Sequence, residues 1–409
     1  MIEINLREYA ATEHGLSVAQ RDALLREAAT LGLSLEPVLD ADGLYRLTAG
    51  PRVGAMEIGG LSILIEPKIG IPQLLSLACY AMGAFRSQEE RLFDFEESAA
   101  LPDTLAIALV AAARRAFSRG LLHGYRQEED ALQTVRGRIL VEQQLRCRLG
   151  VGLPVEVRYD EFTDDILANR LVKAAAGQLG RMRLRSLEAR RGVGWVAGML
   201  EHVSPIEYPP GDVPPVRFDR LNEHYRDVVG LARLILRHSA FESGRGDVRA
   251  FGFLMNMNVV FQEFVTVALR EALGVSELTL RSDRCVRGVT LDEEETVGLE
   301  PDLSWWDGPD CAFVGDAKYK NLTGTSVPTA DLYQLLAYVT ALDLPAGLLV
   351  YAQGEADAAS YRVRHAGKRL HVAALDLSGA LDDVLRRVDD LAARVLRLRD
   401  EACGIQRAA

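Results

Sequence analysis

The sequence predicts a mixed α/β protein. Three observations predict it: long segments with apolar residues at helical spacing, shorter segments that alternate with a period of two, and an interleaving of both kinds through the C-terminal half. At 409 residues the chain is long enough for two or three compact units. The elements divide it into a small β-rich part over 1–100, a mainly helical part with a strand insertion over 101–215, and a domain over 216–409 with a central mixed sheet flanked by helices.

From Ile2, IEINLRE alternates as a strand, SVAQRDALLREAATLG has helical periodicity, and YRLTAGPRVGAMEIGGLSILIEPK gives short strands punctuated by glycine and proline. Two helical patterns follow, PQLLSLACYAMGAF and LPDTLAIALVAAARRAFSRGLLHG, and then VRGRILVEQQL and PVEVRYDEF have strand character. DDILANRLVKAAAGQLGRMRLRSLEARR is acidic at its start and basic at its end, the order a helix dipole favours, and predicts one long helix with glycines as its weak points. Residues 204–218, SPIEYPPGDVPPVRF, hold five prolines. These deny the segment a regular helix or central strand and predict a boundary or rigid connector. Beyond it, LNEHYRDVVGLARLILRHSAF and NVVFQEFVTVALREAL are helical, and SELTLRSD, TVGLEPDLSWW and CAFVGDAKYK are strand-like. The helix DLYQLLAYVTAL then leads to GLLVYAQ, SYRVRH, RLHVAALDL and a closing amphipathic helix, LDDVLRRVDDLAARVLRLRDEA.

Composition excludes several classes. Hydrophobic residues at 48% and charged residues at 26% are ordinary soluble usage, and no apolar run reaches the roughly eighteen residues of a membrane span. The start, MIEINLREYAATEHG, lacks the basic and apolar pattern of a secretion signal, so a cytoplasmic location is expected. Cys79, Cys147, Cys285, Cys311 and Cys403 are scattered, with no CxxC pair, so neither a disulfide framework nor a zinc knuckle is predicted. A net charge of −11 is unlike that of a chain built to neutralise phosphates by itself. Local basic stretches exist in RMRLRSLEARR (181–191) and at Arg136 and Arg138; they suit either a solvated face or contacts to phosphates. His123, His224 and His238 have no metal-ligand spacing and carry no assigned role.

Chemistry concentrates near residue 310. Asp302 in LEPDLSWW and Asp316 in FVGDAKYK end consecutive strand-like runs, and Lys318 follows the second acid by two residues. Alternation places Asp316 and Lys318 on one face, and a hairpin between the runs brings Asp302 alongside. Two carboxylates and an ammonium then converge, an arrangement a sheet rarely tolerates without a use. Phosphodiester hydrolysis has one: Mg²⁺ takes hard oxygen ligands, one or two carboxylates among them, and a nearby lysine orients a water or adds positive charge. The backbone carbonyl of Ala317 is a further candidate oxygen. Trp305 and Trp306 follow the first acid on opposite faces, one expected in the core and the other either near the substrate or also in packing.

Pro301-Asp302 followed by Asp316-Ala317-Lys318 resembles the PD-(D/E)xK nuclease superfamily. Gln334 and Tyr338, four apart on one helix face, resemble the QxxxY element of RecB-like nucleases. Glu263, on the helix before the strands, is at the place of the superfamily's fourth acidic member. Taken together, RGRI (136–139), YDEFTDDILANRLVKAA (159–175), NMNVVFQEFV (256–265), DAKYK (316–320) and DLYQLLAYV (331–339) resemble the McrC family, and IEPKIG (65–70) resembles its N-terminal part. The family helix reads FE, whereas here Phe261 is followed by Gln262 and then Glu263; either of the two completes the site, because neighbouring helix positions point about 100° apart.

The resemblance implies a Mg²⁺-dependent (or Mn²⁺-dependent) DNA endonuclease subunit acting on foreign DNA with modified bases of the 5-methylcytosine type. It implies a partner, the AAA+ GTPase hexamer McrB, which binds the GTP, and an N-terminal part that enters the partner ring and stimulates its hydrolysis. The absence of a GxxxxGK[ST] phosphate loop from this sequence agrees. Arg136, Arg138 and Arg170 are candidates for DNA or partner contacts or for ordinary salt bridges. Two alternatives compete: a stand-alone RecB-like repair nuclease, and a catalytically silent activator of the motor ring.

Overall fold

The computed structural model describes residues 2–39, 41–83, 100–147, 152–240, 251–282, 289–320, 327–352 and 359–406. Cys285 lies outside them. Two compact units form, Met1–Leu101 with Glu242–Ala409, and Pro102–Phe241.

The first unit begins with β1 (Ile2–Arg7), β2 (Ala11–Gly15), α1 (Val18–Leu31), β3 (Leu33–Pro37), β4 (Leu44–Ala49), β5 (Arg52–Ile58), β6 (Leu61–Glu66) and α2 (Ile71–Ala81). Strands β2, β4 and β3 form a small antiparallel sheet. β1 runs parallel to β6, and β5 runs antiparallel to it. Alternation is clean in β6, where Leu61, Ile63 and Ile65 are buried and the residues between them are not.

The second unit contains α3 (Leu101–Phe117), β7 (Gly124–Leu132), β8 (Arg138–Ile139), α4 (Val141–Cys147), β9 (Val155–Thr163), α5 (Leu167–Arg181), α6 (Leu187–Met199), α7 (Arg226–His238) and the short β10 (Ser239–Ala240). The long helix expected over 164–191 is two helices. Its glycines are not the break: Gly177 and Gly180 sit inside α5. The break falls at 182–186, where the Ser186 side chain accepts the Ala189 amide and starts α6. The proline-rich segment does not end the unit either. After it, α7 packs Val228, Leu231, Leu234 and Ile235 into the core shared with α5, so apolar burial carries the unit about 25 residues past the boundary expected at 215.

The first unit resumes with β11 (Phe251–Asn256), α8 (Met257–Leu273), β12 (Leu280–Arg281), β13 (Leu303–Asp307), β14 (Asp310–Lys318), α9 (Thr329–Ala341), β15 (Ala346–Ala352), β16 (Ala359–Arg362), β17 (Arg369–Leu375) and α10 (Leu381–Gln406). β11 pairs antiparallel with β5, Leu254 opposite Gly54. Residues 1–100 therefore share a sheet with the C-terminal part and do not form a separate domain. Gly54 makes the pairing possible: at φ +141 a Cβ there would stand 1.9 Å from the Phe253 carbonyl oxygen. We expect Gly54→Ala to cost on the order of 3 kcal/mol, read as a lower denaturant midpoint.

The main sheet has the order β12-β13-β14-β15-β17-β16. β13 and β14 form an antiparallel hairpin, β14, β15 and β17 run parallel, and β16 returns antiparallel at the edge. All seven residues of β15 are buried, as a parallel strand covered on both faces requires. Leu335, Tyr338 and Val339 of α9 pack on Val314, Leu349 and Tyr351. Cys79 and Cys311 are buried. Among the described residues no helix is long and apolar enough to cross a membrane.

Candidate active site

The β13–β14 hairpin builds the site. Leu303 lies opposite Gly315, so Asp302, one residue before β13, stands across from Asp316. Ala317 donates its amide hydrogen to Asp302 Oδ2 at 2.9 Å, which fixes that carboxylate against the neighbouring strand. Lys318 Nζ is 2.6 Å from Asp316 Oδ2. The fold thus brings Asp302, Asp316 and Lys318 together as the strand spacing predicts.

Burial sets their electrostatics. Asp316 is 1% exposed. Burial, and then the nearby charge of Asp316, push the Asp302 carboxyl up to about 7, against the pull of the Ala317 amide. Burial also raises Asp316, opposed by Lys318. With both carboxyls raised by burial and held side by side, the pair favours retaining one proton between them. Burial alone would lower Lys318, but Asp316 and Asp302 outweigh it and hold the ammonium charged. Asp316 Oδ2 is buried, and the Lys318 ammonium is the charge that faces it. Two buried carboxylates side by side, faced by a single ammonium, fit a hard divalent cation such as Mg²⁺, which would displace the proton.

Gln334 and Tyr338 act through the backbone. Gln334 Nε2 donates to the Tyr338 hydroxyl at 2.8 Å, and that hydroxyl donates to the Glu300 carbonyl at 3.0 Å. The pair therefore clamps the turn that delivers Asp302, and neither touches the carboxylates in the described hydrogen bonds. The Tyr338 hydroxyl is raised by burial and then by Asp316, which places it within electrostatic reach of the site.

α8 packs against β14 from the opposite side. Tyr319, one residue past Lys318, sets its ring 6.1 Å from that of Phe261, whereas Tyr351, in register with Lys318, reaches Asp331 of α9. Gln262 and Glu263 are both half-buried on α8. Among the described residues no three His, Cys, Asp or Glu side chains converge as a metal site, so the structure gathers the pair Asp302 and Asp316 without an acid from α8.

Both tryptophans serve packing. A bulge separates Trp305 from Trp306; Arg399 lies over the first ring and Arg281 over the second, and Trp306 packs against the core of the sheet. Arg170 makes the salt bridge of the two alternatives, with Asp165 at 2.7 and 2.9 Å. Arg136 lies over the Tyr159 ring at 4.2 Å, and Arg138 is exposed on β8.

Sequence reasoning missed Asp331 and Lys320. Asp331, 5% exposed in the first turn of α9, accepts Lys320 Nζ at 3.1 Å on each oxygen and the Tyr351 hydroxyl at 2.7 Å. The signal was present as the second lysine of DAKYK and the acid that opens DLYQ.

A family model described as McrBC 5-methylcytosine restriction system component matches residues 47–352. Among solved structures, the chain is similar to one in the refined half-complex from a tetradecameric assembly of Thermococcus gammatolerans McrB AAA+ hexamers with bound McrC. The identity is 18% and the TM-score 0.61, over 95% of this chain and 98% of that one. A chain of the cryo-EM structure of the Thermococcus gammatolerans McrBC complex aligns with 19% identity over 66% of this chain and 88% of that one, at a TM-score of 0.43. No curated protein matches the sequence.

Proposed function

The chain belongs to the McrBC 5-methylcytosine restriction system component family, and from that premise we propose that it is the nuclease subunit of a modification-dependent restriction system. It hydrolyses phosphodiester bonds in DNA carrying modified bases, in complex with a GTP-hydrolysing AAA+ partner of the McrB type, whose GTPase it stimulates. The observation that carries the cutting role is the buried convergence of Asp302, Asp316 and Lys318 on the β13–β14 hairpin.

Asp302 and Asp316 would hold Mg²⁺ or Mn²⁺, with the Ala317 carbonyl as a further oxygen beside them. The ion, when bound, supplies positive charge for a phosphate oxygen and acidifies an attacking water. The chain's residues do the rest. The Ala317 amide keeps Asp302 aimed, the clamp from Gln334 through Tyr338 to the Glu300 carbonyl fixes the turn before it, and the Lys318 ammonium places charge and donors where negative charge grows in the transition state. GTP belongs to the partner.

A second reading, a silent activator of the ring, draws support from the two-carboxylate site and from Gln262 after Phe261. One assay separates these readings and the stand-alone nuclease: the purified chain, with and without its AAA+ partner, on methylated duplex DNA with Mg²⁺ or Mn²⁺, with and without GTP. We expect cleavage when chain, partner, divalent ion and GTP are all present. Stimulated GTPase with no cleavage in either metal would establish the silent activator; cutting by the chain alone without GTP would establish the stand-alone enzyme.

A further inference from the structure

We propose that Lys320 binds a DNA backbone phosphate flanking the scissile one, and that Asp331 is the positioning residue that holds it there; this rests on the nuclease reading of the site. Immediately after β14 the chain turns, the Lys320 amide donating to the Lys318 carbonyl at 2.9 Å, which keeps the second lysine beside the first. Its Nζ meets both oxygens of Asp331 at 3.1 Å. Asp331 is itself fixed, by the Tyr351 hydroxyl at 2.7 Å from the strand next to β14. Its charge also adds to the rise of both Asp316 and Lys318, so the pair stands within electrostatic reach of the cutting residues.

Side-chain exposure rises along the run from 1% at Asp316 through 22% at Lys318 to 48% at Lys320. The first lies on the floor of the site and the last faces outward. A half-exposed lysine paired with one carboxylate gives little stability, roughly 0–1 kcal/mol, so packing does not account for the position. An ammonium has three donors, and with two contacts to Asp331 on its inner side at least one remains for an outer anion. The charge balance points the same way. Asp302, Asp316 and Asp331 outnumber Lys318 and Lys320 by one, and removing Lys320 raises that excess to two, so a polyanion approaching that floor meets more negative charge without it.

The test is equilibrium binding of a fluorescently labelled duplex to the full-length chain with Ca²⁺ in place of Mg²⁺, over a salt series. Lys320→Ala is expected to weaken binding about tenfold and to reduce the log–log salt slope by about one, the signature of one lost phosphate contact. Lys320→Arg should restore both. In the cleavage reaction Lys320→Ala should raise KM while kcat stays within about twofold, and Asp331→Asn should move KM the same way, less far. Thermal unfolding of Lys320→Ala and Lys320→Gln, expected to match wild type, separates lost contact from lost fold. Equal affinity and slope for wild type and Lys320→Ala overturns the assignment, and so does an absence of measurable binding by both. A wild-type chain that binds the duplex but never cuts it in Mg²⁺ or Mn²⁺ fails the nuclease reading instead, and leaves the binding comparison readable.

Discussion

Asp316→Ala is expected to fold, bind the AAA+ partner and leave its GTPase stimulated, while cleavage of modified DNA falls by roughly 10³-fold or more; Asp302→Ala and Lys318→Ala are expected to do the same. The expectation follows from burial. A carboxylate that is 1% exposed beside a second buried carboxylate is costly to the fold even with Lys318 against it, so its presence is explained by what it holds. Full cutting by any of the three variants would sink the site. The proton shared by Asp302 and Asp316 adds a pH signature. Asp302 is raised from its ordinary value near 4 to about 7, so its contribution to stability is present at low pH and is lost as pH rises through 7. The metal-free chain should therefore weaken between about pH 4 and 7, and Asp302→Asn should weaken less. Adding Mg²⁺ should reverse the loss and release protons, which calorimetry in buffers of different ionisation enthalpy would count. A metal-binding heat independent of buffer would contradict the shared proton.

The hairpin that carries the candidate site was legible because the proposed chemistry prescribes residue types at strand spacing. PD, then DAK, is a local pattern, and a single antiparallel turn brings its ends together. Gln334 and Tyr338 were legible as a pair on one helix face, but their target was not: a backbone carbonyl, that of Glu300, has no letter in the sequence. The pairing of β11 with β5 joins segments about 200 residues apart, and FGFLMN carries no mark of its partner. The boundary at the prolines misled for a related reason. Proline fixes local backbone geometry, whereas a domain ends where apolar burial ends, and α7 continues that burial into the second unit.

Asp165→Ala is expected to destabilise the second unit by about 3 kcal/mol, the low end for stripping a buried charge cluster, because its arginines are partly solvated. Asp165 is 7% exposed at the junction of β9 and α5. It accepts from Arg170 Nε and Nη2, from the Ser204 amide at 2.9 Å and from the Ser204 hydroxyl at 2.6 Å, and it pairs with Arg126 of β7. One carboxylate thereby ties a strand, a helix and the segment after α6. The Arg170 guanidinium, above all, together with Ser204 and Arg126, holds its carboxyl well below the usual carboxylate range, although burial opposes them. With the folded value depressed, the stabilisation is present above the ordinary carboxylate value and fades as acid drives the pH towards the folded one. Wild type should thus lose this increment only below about pH 4, whereas the alanine variant lacks it throughout. In a double-mutant cycle Asp165→Ala with Arg170→Ala should cost less than the two separate losses combined, since each single change strands a charge that the double change removes. Additive losses would mean that the two side chains are merely neighbours and that Ser204 carries the junction.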